Sequence, residues 1–195
     1  MIFSFAGSSE ASEVRAFPEA MAACVKDLVQ KLARGQMHMP SGTLVSVRVG
    51  EERLEIPYRV YYDKQQLAKA IAGPGESACI ALCLGTRHYD GFLRENCLRH
   101  LLDVDADWVA PFVLQLLGEY VIELVRTIHD RFMEGVEEKY RVFYRRNTGY
   151  CESLERRAIS YWSAYYRGRF PRYQDYPGVM ALALLRNAAL SSAGK

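Results

Sequence analysis

The chain has no uninterrupted apolar run of the 18 or more residues that a membrane-spanning helix requires. Its most apolar stretch, 109–117, contains Gln115 and is followed by Gly118 and Glu119, which excludes a helical membrane span. The opening Met1-Ile2-Phe3-Ser4-Phe5-Ala6-Gly7 lacks the basic n-region and the long apolar core of a secretory signal, so the chain reads as cytoplasmic. There are only five cysteines, an odd number, and Cys24, Cys79, Cys83 and Cys97 sit in apolar, helix-like surroundings. That argues against a disulfide framework and for reduced packing thiols. No low-complexity tract and no Pro/Gly-rich linker interrupts the chain, so residues 1–195 are expected to form one unit without a clear internal boundary. Gly-x-Ser-x-Gly, phosphate-loop, dinucleotide-binding and His-Glu-x-x-His patterns are all absent. The reading therefore leans away from catalysis and assigns no cofactor and no metal.

What is present is the composition of a globular protein: 195 residues, 50% apolar and 25% charged. A chain of this length buries roughly 70% of its unfolded surface and needs no staple to hold a core. The net charge of +2 conceals a split: residues 1–138 hold 14 basic and 20 acidic side chains, whereas 139–173 hold 9 basic and 2 acidic. Such asymmetry implies an acidic partner for the basic segment or a contact between the two regions of the same chain.

Hydrophobic periodicity predicts a mainly α fold, helical-repeat-like or irregular, with one antiparallel hairpin. Pro18 and Gly35 bracket a first helix whose stripe is Met21, Cys24, Val25, Leu28, Val29 and Leu32. Residues 43–62 alternate with period two on both sides of Gly50-Glu51-Glu52, the pattern of a hairpin, with Pro57 expected at an open edge or a bulge. Asp63 and Asp90 can each cap a helix, and Asp105 or Asp107 can cap a long one over 108–133. In that long helix Gln115, Glu119, Glu123 and Asp130 are expected on the hydrated side. A last helix, 179–190, is apolar nearly all round. It is expected to be buried within the fold or to mediate homo-oligomerisation.

The run Asp90-Gly91-Phe92-Leu93-Arg94-Glu95-Asn96-Cys97-Leu98, followed by Leu101 and Leu102, resembles the second helix of a HEAT-type repeat. The similarity covers 76–133 and departs from the family at Cys97, which stands at the small-residue position. The resemblance implies stacked antiparallel helix pairs and a surface that binds other macromolecules.

The most distinctive segment is 139–173, where ten aromatic residues interleave with nine basic ones. Guanidinium groups bind phosphates and rings stack on bases, so Arg145, Arg146, Arg156, Arg157, Arg167 and Arg169 are the candidate residues for a protein or nucleic-acid partner. On a helix over 152–166, Leu154, Ala158, Tyr161, Trp162 and Tyr165 form an apolar side opposite Arg156, Ser160, Ser163 and Arg167, which a core-facing helix with a solvated basic face equally explains. A second candidate surface is the interhelical turn with Arg87, His88, Asp90 and Arg94. There a histidine and a carboxylate could act as base and orienter, or simply satisfy a capped turn. Cys79 and Cys83, one turn apart, together with His88 form a weak metal pattern that core packing explains as well. Taken together the sequence predicts a non-enzymatic, cytoplasmic binding or scaffold protein with a protein partner. Nucleic-acid binding through 139–173 is the first alternative, and an enzyme with a site near His88 and Asp90 the second.

Overall fold

A computed structural model describes residues 12–33 and 43–191. Among them the protein is mainly α, with one two-stranded antiparallel sheet. After a 3₁₀ turn at Ser12–Ala16 and another at Glu19–Met21, helix α1 (Ala22–Ala33) buries Val25, Leu28, Val29 and Leu32 on one side. Gly35, its expected terminator, lies outside the described residues.

Strands β1 (Leu44–Val49) and β2 (Glu52–Pro57) pair from Val49↔Glu52 to Leu44↔Pro57 and turn Val47, Leu54 and Ile56 into the core. The hairpin is shorter than the alternation suggests: Pro57 faces Leu44 at a pair that uses no amide, and pairing ends one residue later, where Tyr58 N donates to Thr43 O at 2.9 Å. The chain beyond it runs to the turn after α3 instead, where Val60 N donates to Arg87 O at 3.0 Å.

Three helices follow. Asp63 caps α2 (Lys64–Ile71) by accepting from Gln66 N, α3 (Gly75–Gly85) packs on α2, and Asp90 caps α4 (Gly91–Leu101) by accepting from Leu93 N. Helices α3 and α4 are packed neighbours, as a repeat pair would be, but 108–133 does not supply another long helix. It divides into a 3₁₀ turn at Asp107–Val109, α5 (Ala110–Leu114), a 3₁₀ turn at Gln115–Gly118 and α6 (Ile122–Glu134). Neither Asp105 nor Asp107 caps the start; the residue at that position is Ala106, without a side-chain bond.

Helices α7 (Glu138–Arg146) and α8 (Thr148–Tyr161) come next, and α8 runs into a π-helical turn at Trp162–Tyr166. Helix α9 (Pro177–Ser191) packs against α6, α7 and α8 and buries Val179, Ala181, Leu182, Leu185 and Ala189. Its all-round apolarity is thus met largely inside the chain. The described cysteines are all unpaired, with Cys83, Cys97 and Cys151 buried, and no described helix is long and apolar enough to cross a membrane.

Candidate functional site

The break in 108–133 organises the site. At Gly118 a Cβ would lie 2.9 Å from Leu154 Cδ2, so the absent side chain lets α8 approach this turn closely. The next residue, Glu119, is extended (φ −114°, ψ 164°), and its carboxylate turns inward rather than toward water. Gln115 is buried with it, so both leave the hydrated stripe that helical periodicity assigns them.

Three arginines converge on Glu119 from separate parts of the chain. Arg59, just after β2, donates from Nη1 to Oε1 at 2.8 Å, and Arg94 of α4 places Nε 3.4 Å from Oε2. Arg87 sits 3.9 Å away through Nη1 and is held by bonds from Nη2 to Phe112 O and from Nε to Thr86 Oγ1. Side-chain exposure is 0% for Arg87, 4% for Arg94, 15% for Arg59 and 2% for Glu119, so one carboxylate faces three poorly hydrated guanidinium groups. Burial lowers Arg87 to about 10 and also lowers Arg94, against the opposing pull of Glu119.

This buried cluster carries an aromatic surface. Tyr58 lies 4.8 Å from the Arg59 guanidinium and 5.2 Å from that of Arg157, and its hydroxyl accepts from Arg157 Nη2 at 2.8 Å. Tyr120, next to Glu119, stands 6.0 Å from Tyr161 and 6.2 Å from Tyr165, which are 6.3 Å from each other. Tyr120 and Tyr165 are 53% and 67% exposed, so these rings form a face open to solvent. The π turn accounts for Tyr165: widening the helix after Tyr161 carries this side chain off the apolar side to which a 3.6-residue period assigns it. Tyr166 OH donates to Tyr120 O and Trp162 Nε1 to Phe170 O, fixing the turn to its neighbours.

The six candidate arginines of 139–173 do not form one face. Arg156, Arg157, Arg167 and Arg169 lie along α8 and the loop after it, with Arg167 over the Trp162 ring and Arg169 over Phe170. The Arg156 side chain is exposed, with no hydrogen bond or ion pair among the described residues. Arg145 is tied to Glu138 and Ala189 O, and Arg146 to Gly50 O and Glu51, so both serve contacts at the α7 end. The Arg146–Glu51 pair joins the basic segment to the acidic first part of the chain.

The second candidate surface lies mostly inside the molecule. Arg87, His88 and Arg94 are buried because the β2 extension and the α3–α4 turn close over them. His88 Nδ1 accepts from Asp90 N at 3.1 Å, which leaves Nε2 to donate to Tyr62 O at 2.9 Å. Asp90 caps α4 and binds Lys64 Nζ at 2.6 Å. Both groups of the proposed base and orienter are engaged in holding the turn. Among the described residues no group of three or more His, Cys, Asp or Glu side chains is arranged to hold a metal.

Sequence reasoning missed Tyr58, Arg59, Glu119 and Tyr120. For Glu119 and Tyr120 the one signal was Gly118 inside an otherwise helical pattern; Tyr58 and Arg59 had none. No protein-family model, curated protein or solved structure matches this chain, and the HEAT-type resemblance of 76–133 gains no support from them.

Proposed function

We propose that the chain is a non-enzymatic binding module, that its working surface is the face of Tyr120, Tyr161 and Tyr165 with Arg157 beside Tyr161 and Arg167 over the neighbouring Trp162 ring, and that its partner is single-stranded nucleic acid. The observation that carries this reading is the pairing of two solvent-open rings, Tyr120 and Tyr165, with a segment in which Arg156, Arg157, Arg167 and Arg169 have no carboxylate partner among the described residues, whereas Arg172 is held by Asp175. Exposed rings stack on bases of any sequence, and guanidinium groups without a carboxylate partner follow a phosphate backbone. The buried Arg59–Arg87–Arg94–Glu119 cluster sets the platform in place by fixing the Glu119-Tyr120 step.

Fluorescence anisotropy of labelled single-stranded and duplex oligonucleotides, at about 50 and 200 mM salt, tests it. Single strands are expected to bind more tightly than duplex, with affinity falling as salt rises. Tyr165→Ala is expected to weaken single-strand binding about tenfold while leaving the fold intact. Absence of binding at both salts ends the nucleic-acid reading.

A protein partner is the second reading. It is favoured by a different observation: Phe92 is 84% and Tyr89 59% exposed at the start of α4, and Tyr89 stacks on Tyr61 at 6.0 Å. Exposed aromatic anchors of this kind are what a protein interface buries.

A further inference from the structure

We infer that the groove between β1 and the first turn of α8 is a phosphomonoester site, independent of the tyrosine face. The groove encloses about 330 Å³, and Arg48, Arg53 and Arg146 line it while no carboxylate does. The exposed Arg48 side chain has no hydrogen bond or ion pair among the described residues. Arg53 donates only to the neutral Ser46 hydroxyl, and Arg146 shares its charge with Glu51, whose side chain is 92% exposed just outside the groove. Counting that glutamate, the groove keeps two positive charges. A phosphomonoester carries close to two negative charges at neutral pH, whereas a carboxylate or a phosphodiester carries one.

The site is also held in shape. Asn147, between α7 and α8, accepts from Arg48 N through Oδ1 at 2.7 Å, and its Nδ2 donates to Arg48 O at 2.8 Å and to Phe143 O at 2.9 Å. This side chain therefore staples β1 to the start of the helix, and α8 begins without a side-chain cap. The first bond of the helix is Cys151 N to Asn147 O, so the amides of Thr148, Gly149 and Tyr150 precede it, and all three residues line the groove. The arginines supply charge and forked donors; the helix start adds oriented N–H groups to the same space.

Isothermal titration calorimetry of the full chain with inorganic phosphate, adenosine 5′-monophosphate, 3′,5′-cyclic adenosine monophosphate and adenosine tests this assignment. Phosphate and the 5′-monophosphate are expected to bind, the cyclic diester at least tenfold more weakly, and adenosine not at all. The double variant Arg48→Gln/Arg53→Gln, both positions being exposed, is expected to keep its melting temperature and lose at least tenfold in phosphate affinity. Arg156→Gln/Arg167→Gln, on α8 and the loop after it, is expected to bind phosphate as the parent does. No heat with phosphate, equal affinity for the cyclic diester, or unchanged affinity in Arg48→Gln/Arg53→Gln would each overturn the site. A strand terminus and a free phosphomonoester share this chemistry. Competition between the 5′-monophosphate and an oligonucleotide with or without a 5′-phosphate separates the two sources. Because the read-out is a small anion, loss of strand binding by the tyrosine face leaves this result unchanged.

Discussion

Glu119 decides more than any other side chain, because it is the one carboxylate among Arg59, Arg87 and Arg94 in surroundings that hold little water. Removing one partner of a buried ion cluster strands the others, and three guanidinium groups without a counter-charge are worse off than a single one. Glu119→Gln is therefore expected to destabilise the protein by about 3–5 kcal/mol in urea or guanidinium unfolding. Glu123→Gln, one turn further along at an exposed position, should stay within about 0.5 kcal/mol. Equal effects of the two substitutions would show that the buried cluster contributes nothing special. The same comparison measures what periodicity concealed. Both glutamates belong to one helical stripe in the sequence, and only the extended backbone at Glu119 sends one of them inward.

At the scale of elements, legibility followed locality. Caps act within three residues, so Asp63 and Asp90 could be read directly, and the two-residue alternation of 44–57 needs no knowledge of the rest of the chain. The break between α5 and α6 was hidden because apolar residues at helical spacing continue on both sides of it; burial of both pieces sustains the pattern through an interruption. The arginine cluster was hidden for another reason. It joins Arg59 to Glu119 and Tyr58 to Arg157, positions 60 and 99 residues apart, and no spacing rule reaches that far. Among the described glycines the least room for a side chain is at Gly85, where an added Cβ would come 2.3 Å from Cys97 Sγ across the α3–α4 contact. Gly85→Ala is expected to cost about 1–3 kcal/mol through overpacking. Adding Cys97→Ala, which removes the sulfur in the way, should make the double variant more stable than the sum of the single effects predicts. Strict additivity in chemical denaturation would mean that the helices move apart freely at this point.

At the scale of the whole molecule, the chain after the hairpin is joined to the α3–α4 turn at a junction that holds a titrating side chain, His88. The β2 extension bonds to the α3–α4 turn through Val60 N, and His88 closes the same junction by donating to Tyr62 O while accepting from Asp90 N. A protonated imidazole would point a second donor at the Asp90 amide, and burial pushes the His88 pKa below its usual value in spite of the Tyr62 carbonyl. In the unfolded chain the same side chain titrates near about 6.5. Below that pH the unfolded state takes up a proton that the folded state refuses, so stability is expected to fall as pH drops from about 6.5 toward the lowered folded value. Asp90 adds a separate loss at more acidic pH, because the Lys64 ammonium and the Leu93 amide hold its carboxyl below the ordinary carboxylate range. Melting curves between about pH 7.5 and 5.5 should therefore show a decline that His88→Gln removes, since glutamine supplies one donor and one acceptor without titrating. A flat profile in the parent, or the same slope in His88→Gln, would place the pH sensitivity elsewhere and leave the junction to its backbone bonds.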